Sequence, residues 1–281
     1  MSRKSTLSRI KSGIAAAAIV AFALTGCAPA DTAATDESAI TTITPGKLTI
    51  GTGLPAYAPW VLEDTPESGE GFEAAVAYAI AAELGFAAED VVWVRTTFEE
   101  AIAPGAKNFD FNLQQYSITE ERKANVDFSD PYYVTTQTVI TIEGSGAENA
   151  TTIADLADLL VGAQTGTTSF TAIEEFIKPT AGARAFNTND EAKEALRAGT
   201  IDALVLDLPT ALFATCCELD GGKILGQLEG AEGGDSFGLV LDKGSSLTAA
   251  VNAAIKTLRD NGKLAELEKK WLTDTSAPVL K

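Results

Sequence analysis

Two hydrophobic periods take turns along this chain, and their alternation predicts its elements. Residues 48–51 form a short run of strand length, whereas Phe72, Val76, Ile80 and Leu84 recur every four residues on one helix face that Gly85 closes. Residues 91–94 read as a second strand, 97–103 as a short helix and 110–114 as a third strand. A long extended run at 132–142 interrupts this pattern, which then restarts with a helix at 152–159, a strand at 160–163, helices at 168–177 and 190–198, a strand at 201–206 and a helix at 209–217. A second extended run at 237–241 leads into closing helices at 247–259 and 264–271. Such alternation predicts an α/β fold of mostly parallel sheets flanked by helices. About 235 ordered residues suffice for two cores of ordinary size.

Before position 47 the pattern differs. Arg3, Lys4, Arg9 and Lys11 precede an apolar run from Ile14 to Leu24 that ends in Leu24-Thr25-Gly26-Cys27. Charge block, apolar core and small residues in that order predict a signal peptide over 1–26, its core too short to span a bilayer. The residues before Cys27 resemble the lipobox of bacterial lipoproteins. That resemblance implies an exported protein acylated at Cys27 and held on the outer face of the cytoplasmic membrane; the alternative is an ordinary secretory signal with an incidental cysteine. Residues 27–46, rich in Ala, Thr, Asp and Ser, are expected to form a flexible tether.

Composition then removes several function classes. The 281 residues include no histidine, which excludes Ser-His-Asp and Cys-His catalysis and His-based metal sites. The formal net charge is −18, and loss of 1–26 removes four of the 21 positive charges and none of the 39 negative ones, leaving −22. Such a balance argues against nucleic acid and against docking on anionic lipid. Besides Cys27 the chain has only the adjacent Cys216 and Cys217. A bond between sequence neighbours is strained, so they are expected to be reduced and packed on a helix. No cofactor, metal or catalytic group is expected.

The chemistry concentrates in Phe109-Asp110-Phe111-Asn112-Leu113-Gln114-Gln115-Tyr116-Ser117-Ile118-Thr119-Glu120-Glu121-Arg122 and the following Asp127-Phe128-Ser129-Asp130-Pro131-Tyr132-Tyr133. An apolar strand ends in polar residues and Thr119 offers an N-cap, so Ser117 and Arg122 converge where strand meets helix. Arginine's planar fork with a hydroxyl beside it suits a carboxylate. This segment resembles the signature of the type 3 extracellular solute-binding proteins, amino-acid receptors of ABC importers, and the likeness runs over nearly all of 47–272. It implies a two-lobed periplasmic-binding-protein-like fold with two crossover strands as hinge: lobe 1 at 47–135 and 237–281, lobe 2 at 136–236. The implied partners are a small-molecule amino acid and the ABC permease subunits, with the protein itself a monomer.

The resemblance also distributes roles. It sets Thr168, with Thr167 behind it, opposite Arg122 across the cleft, in Gly166-Thr167-Thr168 at a helix start; helix capping is the other role open to both. Asp207 ends an apolar strand, where open α/β sheets bind ligands, and precedes Pro209, so it could cap the next helix or meet a ligand. The family's Asp-Ala-x-x-x-Asp pattern, present as Asp202 to Asp207, implies that Asp207 pairs with the ligand's ammonium and leaves Asp202 structural. Tyr57 and Phe98 match the walls that sandwich the ligand side chain, and Trp60 is placed at the mouth.

Departures from the family bear on the ligand. Members that hold cationic side chains often have an acid shortly before the Tyr57 position, where this chain has Gly53-Leu54-Pro55-Ala56. Gln114 and Gln115 replace small residues and are expected to line the pocket with amides. A polar, non-cationic side chain follows, glutamine-like ahead of glutamate-like, with Arg95 or Lys107 as the only cations in view for a distal carboxylate. Glu73 and Ala75 alter the usual acidic helix start. A dehydratase-like enzyme on the same scaffold would need a positioned acid or base, and a sensing ectodomain would be followed by a spanning helix, which is not expected here.

Overall fold

A computed structural model describes residues 40–228, 234–272 and 276–281. The expected signal segment, Cys27 and the tether up to residue 39 lie outside the described residues. Residues 40–46, assigned by sequence to the tether, are attached to the domain instead: Ile40 packs on its core, and Ile43 N donates to Asp110 Oδ1 at 2.8 Å. The reason is Asp110, a buried carboxylate that also accepts from Thr49 N at 2.7 Å and so ties the incoming chain to the first strand.

The first sheet is built from β1 (Leu48–Gly53), β2 (Val91–Thr96), β3 (Phe111–Asn112), β4 (Asp127–Phe128) and a late strand at Val240–Leu241, in the order β2-β1-β3-late strand-β4. Between its strands run α1 (Phe72–Glu83), α2 (Phe98–Ile102) and α3 (Glu120–Lys123). The chain then crosses through β5 (Tyr133–Thr135) into β6 (Gln137–Ile142). The extended run expected at 132–142 therefore breaks at Thr136, whose carbonyl accepts from Leu208 N.

The second sheet adds β7 (Val161–Gln164), β8 (Arg184–Phe186), β9 (Ala203–Asp207) and β10 (Gly222–Leu228), with α4 (Thr168–Ala172), α5 (Asn189–Arg197) and α6 (Leu208–Phe213). The return crossing is β11 (Asp235–Phe237), paired antiparallel to β5, and it continues into the late strand of the first sheet, β12 (Val240–Leu241). Helices α7 (Thr248–Asp260) and α8 (Lys263–Trp271) then pack on α1.

Each sheet is mixed rather than mostly parallel. β1, β2 and β3 are parallel, as are β7, β8 and β9, but β12 runs antiparallel to β3 and β4, and β6 runs antiparallel to β9 and β10. The reversed strands are those entering from a crossing. A strand arriving from the other lobe enters against the direction that the local βαβ units set. The chain end, assigned by sequence to lobe 1, also differs: β13 (Val279–Leu280) pairs with β10 in the second sheet.

Lobe 1 closes over Leu48, Ile50, Phe111, Val76, Ile80, Val251 and Ile255, continuous with an aromatic cluster of Trp60, Phe72, Tyr133 and Phe237. Lobe 2 buries one cluster on each sheet face, Val139, Val161 and Ile173 on one, Ile140, Leu196 and Leu204 on the other. The expected helix at 152–159 is only a 3₁₀ turn, Ile153–Leu156. Cys216 and Cys217 are not reduced packing residues. They form a disulfide on the π-helical turn after α6, where both side chains face solvent rather than the core.

Gly71 fixes the start of α1. Its φ is +103°, and a Cβ there would lie 2.4 Å from the Trp60 carbonyl, which also accepts from Glu73 N. Gly71→Ala is expected to destabilise the protein by at least about 2 kcal/mol in urea unfolding, through backbone strain and the clash together.

Candidate functional site

The two lobes meet around a cavity of about 220 Å³ at the C-terminal ends of β1, β7 and β9. Its walls contain Tyr57, Phe98, Gln114, Gln115 and Ser117 from lobe 1 together with Arg122, and Thr167, Thr168 and Asp207 from lobe 2. Trp60 does not line it. The indole is fully buried against Phe72, Tyr133 and Phe237, and its Nε1–H donates across the cleft to Thr210 Oγ1 at 2.8 Å.

Arg122 is placed by a short capped helix: the Thr119 hydroxyl accepts from Arg122 N. The guanidinium is 7% exposed, and it donates through Nη1 to Ser117 O at 2.7 Å and through Nη2 to Gly166 O at 2.9 Å. Its Cζ lies 5.2 Å from the Phe98 ring centre. Burial pulls its pKa down, and Tyr116, Asp235 and Asp207 act against this. Two of five N–H groups are used, so the fork keeps donors for a carboxylate. Ser117 Oγ and Thr168 Oγ1 meet across the cleft at 3.1 Å. The Thr167 hydroxyl instead caps α4, accepting from Phe170 N at 3.1 Å.

Asp207 stands at the N-cap position of α6, yet its side chain makes no capping bond. It turns towards Gln137, whose Nε2 donates to Oδ1 at 2.9 Å. Burial and the nearby Asp235 push its pKa up to about 8, with Gln137 and Arg122 opposing. A cavity with a buried guanidinium and a half-buried acid presents complementary sites for a carboxylate and an ammonium. Asp202, by contrast, accepts from Leu160 N at 2.8 Å and only holds strand to strand.

The side-chain end of the cavity is rich in amides. Gln114 Oε1 accepts from Tyr116 Oη at 2.9 Å, which leaves its amide N–H groups free to meet a guest. Gln115 is held at φ +52° by Glu73, which accepts from its backbone N at 2.8 Å and from its side chain. Gln164, at the end of β7, and Asn187, Thr188 and Asn189, at the start of α5, also line the wall; nothing in the sequence marks the last three beyond turn chemistry. Glu99 is also in the wall. Arg95 is bonded to Asp64, and Lys107 to the Ala103 carbonyl, so neither reaches the cavity. Across the cleft Lys193 Nζ lies 5.2 Å from the Tyr57 ring centre.

The model of the bacterial extracellular solute-binding proteins, family 3, matches residues 48–274. The chain belongs to that family. The arginine-binding extracellular protein ArtP of Bacillus subtilis is 28% identical over 265 residues, covering 92% of this chain and 95% of its own length. The ABC transporter glutamine-binding protein GlnH of the same species is 30% identical over 217 residues, 75% of this chain and 77% of its own. Among solved structures, an ancestral arginine-binding protein bound to glutamine is similar with a TM-score of 0.70 and 30% identity, over 82% of this chain and 100% of that one. These relatives of the family 3 chain are amino-acid-binding proteins, and its two-lobed α/β fold is theirs.

Glu73, the altered acid of α1, is buried and held by Tyr132, by Gln115 N and by the Gln115 amide. Burial raises its pKa from 4.5 to about 7, against those hydrogen bonds. Between these values the folded chain binds more protons than the unfolded one, so this group's stabilisation, complete below about 4.5, is lost as pH rises through 7. In Glu73→Gln, the difference from wild type should therefore change by up to about 3 kcal/mol in favour of the variant between pH 4.5 and 7.5, read from urea midpoints at each pH.

Proposed function

We propose that this chain is the extracytoplasmic substrate-binding component of an ABC importer, clamping one amino acid between its lobes and presenting it to permease subunits as a monomer without chemistry of its own. The observation that carries this is Arg122 and Asp207 facing one cavity from different lobes: the fork takes the ligand's carboxylate, with Ser117 and Thr168 adding hydroxyls, and Asp207 takes the ammonium. Tyr57 and Phe98 wall the side chain between flat faces. The shared cavity also gives the ligand its means of holding the lobes together, since it touches both only when they are closed.

The preferred ligand in this reading is glutamine-like. Gln114, Gln164, Asn187 and Asn189 offer a side-chain amide both donors and acceptors, and the cations near a distal carboxylate are already paired, Arg95 with Asp64 and Lys193 with Asp190 and Glu218. Glu99 in the cavity wall favours a second reading, a cationic side chain such as that of arginine. A thermal-shift screen of the twenty amino acids, followed by calorimetry, separates them: glutamine raising the midpoint most supports the first, and arginine or lysine the second. In either case Arg122→Ala or Asp207→Ala should weaken binding at least tenfold, since cutting a buried charge pair costs about 2–5 kcal/mol. Affinities close to wild type would remove the clamp.

Anchoring through Cys27 belongs to the same proposal and is supported by the small residues before it. Two acyl chains on one cysteine give stable membrane attachment. Cys27→Ala should move the protein into the soluble fraction with ligand affinity unchanged; a membrane-bound variant would defeat the anchor.

A further inference from the structure

The second crossover strand touches both ends of the clamp. The Ser236 carbonyl of β11 accepts from Ile118 N at 2.8 Å, and Phe237 forms a backbone bridge with Ser117, so the strand holds the segment that carries the carboxylate site. One residue earlier, Asp235 Oδ2 lies 2.5 Å from Gln137 Nε2, the nitrogen that donates to Asp207 Oδ1 at 2.9 Å. A carboxamide nitrogen has two hydrogens and can hold two carboxylates at once. The other end of Gln137 is fixed as well, because its Oε1 accepts from Ser169 Oγ at 2.6 Å. Gln137 is 4% exposed and opens β6 directly after the first crossing. Asp235 itself is not part of the cavity wall.

We propose that Asp235 and Gln137 are positioning residues of the ammonium subsite: Gln137 ties Asp207 to Asp235, so that the second crossover strand orients the acid that meets the ligand and gives the site a second negative charge. The inference rests on Asp207 being the ammonium partner. The groups facing Asp207 are Asp235 on β11, Arg122 on α3, Glu73 on α1, and Tyr132 and Tyr133 at β5, with Glu99 opening on the same cavity. Burial first and Asp235 next hold its pKa at about 8. The empty acid therefore keeps its proton near neutrality. An arriving ammonium replaces that proton, which leaves to solvent as the carboxylate–ammonium pair forms, so affinity falls about tenfold per pH unit below 8.

Charge and geometry separate in two variants. Asp235→Asn keeps an acceptor for Gln137 and removes the charge, whereas Gln137→Leu cuts the tie and leaves both acids. With aspartate carboxyls ¹³C-labelled, one resonance of the empty protein should titrate near pH 8, vanish in Asp207→Asn and move down by at least about one unit in Asp235→Asn. With L-glutamine as probe, or L-arginine where that binds more tightly, Asp235→Asn should lose less than about threefold in affinity between pH 8 and pH 7, and Gln137→Leu should bind at least tenfold more weakly at every pH. An unchanged titration midpoint in Asp235→Asn, or unchanged affinity in Gln137→Leu, overturns the proposal. If binding still fails in Asp207→Ala, the clamp survives that result; normal binding in Asp207→Ala removes the clamp itself.

Discussion

A guanidinium taken out of water between two lobes is the constraint on which the rest of this structure turns. Arg122 forms no ion pair among the described residues; its charge is met by one carbonyl from each lobe, Ser117 and Gly166, and by the face of Phe98. Desolvating such a charge costs several kcal/mol, which neutral acceptors only partly offset. Its partners come from both lobes, so the guanidinium is one of the groups that join them. Thr119, the cap that starts α3, and the crossing strand that holds Ser117 both fix the position of the fork.

The other acids divide by what burial does to them. Glu73 and Asp207 are both desolvated enough to favour their protonated forms, but Glu73 spends its oxygens on the scaffold, holding Gln115 in a left-handed conformation that glutamine does not readily adopt. Asp207 has one amide partner and an open side towards the cavity. The same physical effect thus produces a structural brace on one helix and a receptive group on a strand end. The difference lies in how many donors each carboxylate already owns.

Much of this could be read in the sequence because it follows from local chemistry. The four-residue spacing from Phe72 to Ile80, the cap at Thr119 and the apolar strand ending at Asp207 each fix an element and the residue it delivers. What stayed hidden depends on contacts between distant segments. Trp60 looks like a cover for the mouth of the cleft in its Pro- and Tyr-containing context, but the aromatics Phe72, Tyr133 and Phe237 draw it inside. Strands β8 and β10 carry too few apolar residues to announce themselves, and both lie beside strands that already close the core. Asn187 to Asn189 read as a turn, and only folding brings that turn to the cavity.

The return of β13 to the second sheet gives the molecule a third covalent pass between its lobes. Helix α8 belongs to lobe 1 and packs on α1, and Leu272 and Val279 are separated by only six residues. A chain of that length reaches at most about 25 Å when fully extended. The last strand thus ties the sequence that follows the lobe 1 helices to the second sheet, at a place where neither β10 nor β13 contributes a wall residue to the cavity.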